Sequence, residues 1–479
     1  MKKIISILLL ALVLFSCEDA LIEQPKSIAV ETFYNTESEL ESAIAAVYSP
    51  LRAASVFGSN LISRYETYSG YQNGRGSWAP NSDFQGLNST NISRTDAAWT
   101  SIYNSIRNAN LVIMKTPDGE QLANSEKSLF IAEAKYLRAF SYFILVRNWG
   151  GVPIRTEENF TEIEVGRSSE DDVYQLIVAD LKEAESNLPD VASISGRATK
   201  WAAKTMLADV YFYRGMNSEA ASKANEVIAS NLYSLIQVST VDDFYKIFGT
   251  DVITTSEEIF YIKYIHEDGN NYPMMIHHPG SELCGAGGWY ALYSDESNNV
   301  MKNWDTNDLR RGLWYNWDIG LGSGTLLSKK FIDPEAPAST SNAVDIPIYR
   351  YADVLLMSAE AECRASGTVS VEAMEKLNMV HRRGYGYNPL VSSPVDFNLA
   401  DYNKDTFADL VVQERCYETA TEGKRWLDLK RLGADELKAI IKAETGKDVA
   451  DKHLLFPIPE GEMSYNSKID PATDQNPGY

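Results

Sequence analysis

The sequence predicts a mainly α protein in which a tetratricopeptide-like helical repeat scaffold carries a loop-rich region with short strands. Apolar residues recur at spacings of three and four over most of the 479-residue chain, as they do along helices with one buried face. Two stretches, about 61–92 and 238–347, are instead rich in Gly, Asn, Ser and Pro with interspersed aromatic residues, which is typical of loops and short strands. A third observation is a match to the offsets of one tetratricopeptide repeat, at Leu207, Ala208, Tyr211 and Ala220.

The first seventeen residues predict a lipoprotein signal peptide. Lys2 and Lys3 precede an apolar run of twelve residues, 4–15, whereas a membrane-spanning helix needs about 20. Leu14 stands three positions before Cys17 with a small residue between, which resembles the bacterial lipobox, where the thiol receives a diacylglyceryl group. Acyl chains on Cys17 would hold the protein on a membrane, because each buried methylene contributes about 0.8 kcal/mol. The alternative is an ordinary secretory leader that ends near a cysteine.

The expected domain organisation follows from this leader. Residues 1–16 form the signal peptide, and the polar, acidic residues 17–36 form a lipidated tether. Residues 37–479 form one domain. Its helical scaffold is expected at about 37–60, 93–237 and 348–445, and its loop-rich, ligand-binding region at about 61–92 and 238–347.

The individual helices follow from apolar stripes. The first stripe begins at residue 38 and includes Leu40, Ile44, Val47 and Leu51, which must face a neighbouring element. Further helices are predicted at 97–115, 127–149, 171–188, 200–214, 218–229, 351–364, 371–383, 405–418, 424–432 and 435–444.

The tetratricopeptide match depends on small residues that let two antiparallel helices approach closely. Ala208 and Ala220 occupy these positions in one predicted helix pair. Ala361 and Ala373 have the same separation, but the matching Leu and Tyr are missing, so this second match is weaker.

Charge and cysteine content exclude several kinds of partner and site. The formal net charge is −22, and loss of a leader that contains two lysines takes it to −24. A field of this sign repels phosphate backbones and argues against nucleic acid and, more weakly, against strongly anionic polysaccharides, although a local patch can override the global sign. Neutral ligands fit better. Cys284, Cys363 and Cys416 lie far apart and form no C-x-x-C pattern, so we expect buried free thiols.

Several segments together resemble the SusD/RagB family. The central ones are RYADVLL at 350–356, AEA at 359–361, GKRWLDLKR at 423–431 and the tail QNPGY at 475–479. Similar upstream and C-terminal segments are AKYLRAFSYF at 134–143, GVP at 151–153 and PIP at 457–459 with Glu462. With the leader, these motifs cover essentially the whole chain.

The resemblance implies a SusD-like fold at the outer surface of the cell outer membrane, as a lid over a SusC-like TonB-dependent transporter. The acidic pair Glu18 and Asp19 after Cys17 is similar to the surface-export signal of such lipoproteins. The family captures oligosaccharides or, in the RagB branch, peptides, and it has no catalytic step. We therefore expect no enzymatic activity and no cofactor.

Candidate ligand contacts come from loop aromatic residues, because flat rings cover the C–H faces of sugars while amide and guanidinium groups bind the hydroxyls. Segment 68–81 interleaves aromatic and polar residues with glycines, and segment 284–290 holds three glycines that leave little local apolar surface to bury a tryptophan. The predicted glycan contacts are Tyr71, Arg75, Trp78, Asn81, Trp289 and Tyr290. The alternatives are that Trp78 folds back onto the core and that Trp289 packs within a short strand.

The other tryptophans are expected in the core. Trp304 falls in a predicted helix, and Trp314, Tyr315 and Trp317 alternate as in a strand that packs inward. The remaining tryptophans lie on helix stripes and are core by default: Trp99, Trp149, Trp201 and Trp426.

No motif indicates a metal or phosphate site. His277, His278 and Glu282 lack the H-E-x-x-H spacing, and residues 305–308 lack the glycine and distal glutamate of a calcium loop. The glycine-rich stretch 320–324 is not followed by Lys-Ser/Thr, so a turn explains it.

Three functions remain in competition. A non-catalytic glycan-binding lipoprotein is favoured over a peptide-capturing RagB-type or purely scaffolding helical-repeat protein, and over a glycoside hydrolase, which would need paired carboxylates. The acidity favours a neutral, glucan-like polymer, yet Arg64, Arg75 and Arg94 near the first loop leave a uronic acid open.

Overall fold

A computed structural model describes residues 33–479, which are mainly helical with few short strands, as predicted. The helices are α1 (Glu37–Arg52), α2 (Asn60–Thr67), α3 (Ala79–Ser82), α4 (Ser89–Lys115), α5 (Asn124–Trp149), α6 (Glu170–Asn187), α7 (Lys200–Tyr213), α8 (Asn217–Ala229), α9 (Tyr245–Phe248), α10 (Tyr272–Ile276), α11 (Asn299–Asn303), α12 (Tyr351–Ser366), α13 (Val371–Gly384), α14 (Lys404–Glu418), α15 (Arg425–Arg431), α16 (Ala434–Thr445) and α17 (Glu460–Tyr465). Cys17 and the predicted signal peptide lie outside the described residues. Within 33–479, no helix is both long and apolar enough to cross a bilayer.

The long helices pack as a continuous array of hairpins. In chain order α4 packs on α5, α5 on α6, α6 on α7 and α7 on α8, while α1 lies against α4. The array then continues from α8 to α12, which packs on α13 and α14. Ala208, Ala220, Ala361 and Ala373 are all fully buried, so both predicted pairs of small residues lie in the interior, as close helix packing requires.

Capping residues explain where the first helices begin. Thr36 and Glu39 form a capping box at the start of α1, with the Thr36 Oγ1 accepting from the Glu39 backbone N–H at 3.3 Å. Helix α4 begins at Ser89, earlier than the predicted residue 97, because Asn88 caps it by accepting from the backbone N–H of Asn91 at 2.9 Å.

Two small antiparallel sheets organise the loop-rich region. The strands are β1 (Asn73–Gly74), β2 (Glu258–Ile262), β3 (Leu292–Asp295), β4 (Trp314–Asn316), β5 (Thr325–Ser328) and β6 (Ile346–Arg350). One sheet has the order β1-β3-β5-β4, and β2 pairs with β6 in the other. Asn73 pairs with Tyr293, so the first sheet joins the two loop-rich stretches of the sequence.

A buried ion network connects the loop-rich region to the scaffold helices. Its acidic and basic members are Glu257, Asp308, Arg310, Lys330, Arg350, Arg383, Glu414, Glu418 and Glu422. The Arg350 guanidinium lies 2.8 Å from a carboxylate oxygen of Glu418 and 2.7 Å from one of Glu422. The charges are therefore paired where burial would otherwise make them costly.

The C-terminal tail is fixed by hydrogen bonds to the end of α5. The Asn476 side-chain amide donates to the carbonyl oxygens of Trp149 at 2.9 Å and Phe456 at 2.6 Å. Arg167 donates in turn to the Asn476 Oδ1 at 2.7 Å. This part of the tail motif therefore has a structural role.

Most of the predicted core residues are confirmed. Trp99, Trp149, Trp304, Trp314 and Trp426 are buried, although Trp304 follows α11 rather than lying within it. Trp201 is only partly buried. Three cysteines were expected as buried free thiols, and within residues 33–479 they are buried and form no disulfide: Cys284, Cys363 and Cys416.

Candidate functional site

An open groove of about 670 Å³ lies where the first sheet meets the start of α2. Its lining includes Arg75, Trp78, Trp289 and Tyr290, which are four of the six residues predicted from sequence. A volume of this size is within the range of small-molecule and oligosaccharide pockets.

The pairing of β1 with β3 brings the two predicted segments together. Just beyond this pairing, the backbone N–H of Arg75 donates to the carbonyl oxygen of Ala291 at 2.7 Å. This contact places the Arg75 guanidinium carbon 4.1 Å from the ring centroid of Tyr290, in a cation–π arrangement. Residues more than 200 positions apart in the chain therefore form one wall.

The backbone around Trp289 is fixed by close packing. A Cβ on Gly288 would lie 2.0 Å from the carbonyl oxygen of His277, so only glycine fits there. The Trp289 N–H donates to the Met274 carbonyl at 2.6 Å, and the Tyr290 N–H donates to that of His277 at 2.9 Å. The Trp289 residue remains 47% exposed, so a rigid backbone presents an open indole ring.

Tyr290 has a left-handed backbone conformation, with φ of 37°. This conformation costs of order 1 kcal/mol or more for a residue with a Cβ, and it persists only where the surroundings enforce it. The hydrogen bond to His277 and the stacked Arg75 provide that enforcement.

Trp78 lines the groove but does not present an open face. It ends a 3₁₀ turn, Gly76–Trp78, and is only 3% exposed. The guanidinium carbon of Arg94 lies 4.0 Å from its ring centroid, and Arg94 also donates to the Ser77 Oγ at 2.9 Å. The prediction that Trp78 is a stacking platform is therefore corrected: it supports the wall.

Tyr71 does not reach the groove. It is 1% exposed, and its hydroxyl donates to Glu66 and accepts from the backbone N–H of Thr421 at 2.9 Å. Burial raises the pKa of Tyr71 well above its usual value and that of Glu66 to about 7. The prediction that Tyr71 contacts a ligand is corrected, because its position is structural.

Asn81 is also buried rather than in the groove. It is fully inaccessible, and its Oδ1 lies 3.4 Å from the Nη1 of Arg64, which donates to it. The predicted contact between Asn81 and a ligand is therefore corrected in the same way.

An aromatic strip extends from Tyr290 and was missed in the sequence. It comprises Tyr290, His278, Trp317 and Tyr315, with ring centroids 4.6, 5.2 and 6.1 Å apart in that order. His278, Trp317 and Tyr315 are each partly exposed. Tyr315 and Trp317 were predicted to lie in the core, and His278 was considered only as part of a zinc motif that did not fit. The glycines and polar residues after Trp317 nevertheless indicated a turn at the surface.

Two adjoining hollows of about 400 and 500 Å³ form a second groove, between α4, residues 155–163 and α17. Its lining includes two carboxylates and two guanidinium groups, those of Asp96, Glu462, Arg107 and Arg155. Among the described residues, Trp99 is the only tryptophan that lines it. A further cavity of about 70 Å³ is too small for a sugar ring.

The first groove is lined by hydrogen-bonding and stacking groups. Among residues 33–479, its lining contains no Asp or Glu, whereas most glycoside hydrolases use two carboxylates. The described part of the chain also shows no cluster of three or more His, Cys, Asp or Glu residues that could hold a metal ion. The arrangement is suited to binding.

Comparison with known proteins identifies the family. A family model described as "SusD family" matches residues 240–479, and one described as "Starch-binding associating with outer membrane" matches residues 21–212. SusD-like protein P38 of Formosa agariphila is 30% identical over 88% of both chains. The fold is similar to that of a SusD homolog from Bacteroides thetaiotaomicron, with a TM-score of 0.80, 22% identity, and coverage of 94% of this chain and 98% of the other. It is also similar to a laminarin-binding SusD-like protein, with a TM-score of 0.75, 24% identity, and coverage of 93% and 100%. The chain belongs to the SusD family.

Proposed function

We propose that this protein is a lipid-anchored, non-catalytic lipoprotein that captures oligosaccharides or polysaccharides outside the cell. In this proposal the captured glycan passes to a SusC-like TonB-dependent transporter in the outer membrane. Acylated Cys17 provides the anchor, and the groove around Trp289 provides the glycan site.

The exposed indole of Trp289 is the observation that carries the proposal. It is a large ring on a backbone fixed by Gly288, and it stands beside the Tyr290 ring and the Arg75 guanidinium that stacks on Tyr290. A pyranose can lie flat on such a ring while its hydroxyls reach the polar groups at the edge. The laminarin-binding neighbour and the starch-binding family description support a polysaccharide as ligand.

The contribution of Trp289 can be estimated from its exposure. A tryptophan buries up to about 250 Å², so 47% exposure leaves about 120 Å², of which one sugar face covers about half. At about 25 cal/mol per Å² this amounts to about 1.5 kcal/mol, or roughly tenfold in affinity. Binding in the micromolar to millimolar range follows once association costs are included.

The test is a glycan-binding assay on the purified protein and its Trp289→Ala variant. Affinity electrophoresis against a broad polysaccharide panel should find a ligand, and calorimetry should then show roughly tenfold weaker binding by the variant. Tyr465→Ala is the matched control, because Tyr465 is 88% exposed but lies on the second groove. Its affinity should equal that of the parent protein.

Other outcomes separate the alternatives. Failure of every glycan to bind, with peptides recovered from the native protein by mass spectrometry, would favour a peptide-capturing role. Release of reducing sugar over hours would indicate a hydrolase. Equal loss of affinity in the Trp289 and Tyr465 variants would show that the groove is not the site.

The anchor and the transporter need separate tests. Cys17→Ala should abolish incorporation of labelled palmitate and release the protein from the membrane fraction. Detergent extracts of the native host should yield a TonB-dependent transporter together with the tagged protein. A soluble wild-type protein that takes up no label, or one that is recovered alone, would contradict the corresponding part of the proposal.

A further inference from the structure

The first groove is locally cationic in a strongly acidic protein. The chain has 66 acidic and 44 basic side chains, so there are more than enough carboxylates to pair with every arginine. Nevertheless the described lining of the groove contains Arg75 and Arg94 and no acidic residue. Elsewhere in the fold, arginines such as Arg138 and Arg350 are paired with two or more carboxylates.

Arg75 and Arg94 are held in place without being neutralised. Arg75 stacks on Tyr290, and within residues 33–479 none of its five side-chain N–H groups donates a hydrogen bond. Arg94 stacks on Trp78, and in the described part of the chain it donates only to two neutral oxygens, those of Ser77 and Asn91, each at 2.9 Å. Both guanidinium groups therefore have spare donors in a fixed orientation, which is the state that suits an anionic ligand.

A third guanidinium reinforces the same sign. Arg64 is 1% exposed, donates to a backbone oxygen of Asn91 at 3.0 Å, and forms no ion pair within the described chain. Burial, together with the like charge of Arg64, lowers the pKa of Arg94 to about 10. Helix α2 begins at Asn60 on the groove, so its positive dipole end adds to this potential. An anion in the groove would relieve this repulsion.

We infer that the glycan bound in this groove carries an anionic group, either a uronate carboxylate or a sulfate ester, which Arg75 and Arg94 bind. The inference rests on the proposed glycan-binding function and names the class of glycan. An anionic glycan takes the place of the neutral, glucan-like ligand that the net charge favoured. It includes the uronic acid that was kept open because of Arg64, Arg75 and Arg94. A planar guanidinium can bind two oxygens of either group at once.

The experiment compares charged polysaccharides with neutral derivatives of the same backbone. Polygalacturonate is paired with its carboxyl-reduced form, and κ-carrageenan with its desulfated form, in affinity electrophoresis followed by calorimetry on oligosaccharides. The charged member of at least one pair should bind about tenfold or more tightly than its neutral partner, as expected for hydrogen bonds between charged groups. Whichever pair shows this difference identifies the anionic group.

Variants test whether the arginines are responsible. Arg75→Gln should weaken binding of the charged glycan about tenfold and leave binding of the neutral form within about twofold. Arg75→Lys should recover only part of the loss, because lysine keeps the charge without the planar fork. Arg107→Gln is the matched control, since Arg107 is an exposed arginine on the second groove, and it should bind like the parent protein.

Each contrary result has a distinct meaning. Equal binding of charged and neutral forms, or an Arg75 variant that behaves like the parent protein, overturns the inference but leaves glycan binding intact. An equal loss in the Arg107 variant shows a general effect of net charge and also overturns it. Absence of binding to any glycan, charged or neutral, overturns the proposed function itself.

Discussion

Replacing Glu418 by Gln should destabilise the protein strongly, because this one carboxylate pairs with three buried arginines. Glu418 is the last residue of α14, and it accepts hydrogen bonds from Arg350 at 2.8 Å, from Arg310 at 3.2 Å and from Arg383. The three arginines come from different parts of the chain. A neutral amide would leave part of their charge without a partner in the interior.

The magnitude follows from the pKa of Glu418. Burial alone would raise it, but the guanidinium groups of Arg383, Arg350 and Arg310 outweigh burial and lower it from 4.5 to about 2. This difference corresponds to about 3 kcal/mol of stabilisation by the ionised form. Removal of one member of a buried ion pair typically costs about 3–5 kcal/mol, which agrees.

The assay is urea unfolding at neutral pH, followed by tryptophan fluorescence and circular dichroism. Glu418→Gln should lose about 3–5 kcal/mol of unfolding free energy. Asp448→Asn is the matched control, because Asp448 pairs with Lys442 at 2.7 Å on the surface, where the two side chains are 86% and 51% exposed. Its loss should stay below about 1 kcal/mol.

The pH dependence has a definite sign. Because folding lowers the pKa of Glu418, its stabilisation is fully present above about pH 4.5 and is lost as the pH falls towards 2. The variant should lack this part of the acid sensitivity. Equal, small losses of unfolding free energy in Glu418→Gln and Asp448→Asn, or an unchanged acid unfolding curve in both variants, would contradict this role of Glu418.

Two further predictions concern the walls of the groove. Gly288→Ala should weaken glycan binding about tenfold or more in calorimetry, because the new Cβ would lie 2.0 Å from the His277 carbonyl oxygen and displace Trp289. Gly461→Ala is the control and should bind normally, because a Cβ there would have no atom within 4 Å. Tyr71→Phe should lower the unfolding free energy by about 1–3 kcal/mol in urea titrations, because the backbone N–H of Thr421 loses its acceptor. The glycan affinity should stay unchanged, and weaker binding would contradict the structural role of Tyr71.

Helix positions were predictable where burial produced a continuous apolar stripe. The stripe of α1 identified Leu40, Ile44, Val47 and Leu51, all fully buried in the structure. The first turns of α4 were missed, because Ser89 and its neighbours are mostly polar and follow no apolar period. Their only local signal was the cap at Asn88, which is readable once a helix start is sought there.

The site was partly predictable because glycines act locally, whereas long-range contacts leave no local signal. The three glycines before Trp289 leave little local apolar surface to bury its ring, and they correctly indicated that the ring is exposed. Trp78 is covered by Arg94, and Tyr71 meets Thr421, which is 350 residues away. Neither contact has a sequence spacing that periodicity or motif matching can detect.

Net charge indicates the potential far from the protein, but the ligand experiences the potential within the groove. At physiological ionic strength the screening length is about 8 Å, so most of the chain's excess carboxylates act only weakly inside the groove. Arg75 and Arg94 lie in its lining, where screening is smallest, and no acidic side chain of residues 33–479 lines the groove beside them. An acidic surface would then slow the approach of an anionic glycan without preventing its retention in the groove. Higher salt should therefore raise the association rate, because it screens the long-range repulsion, and should weaken the bound complex, because it screens the arginine contacts.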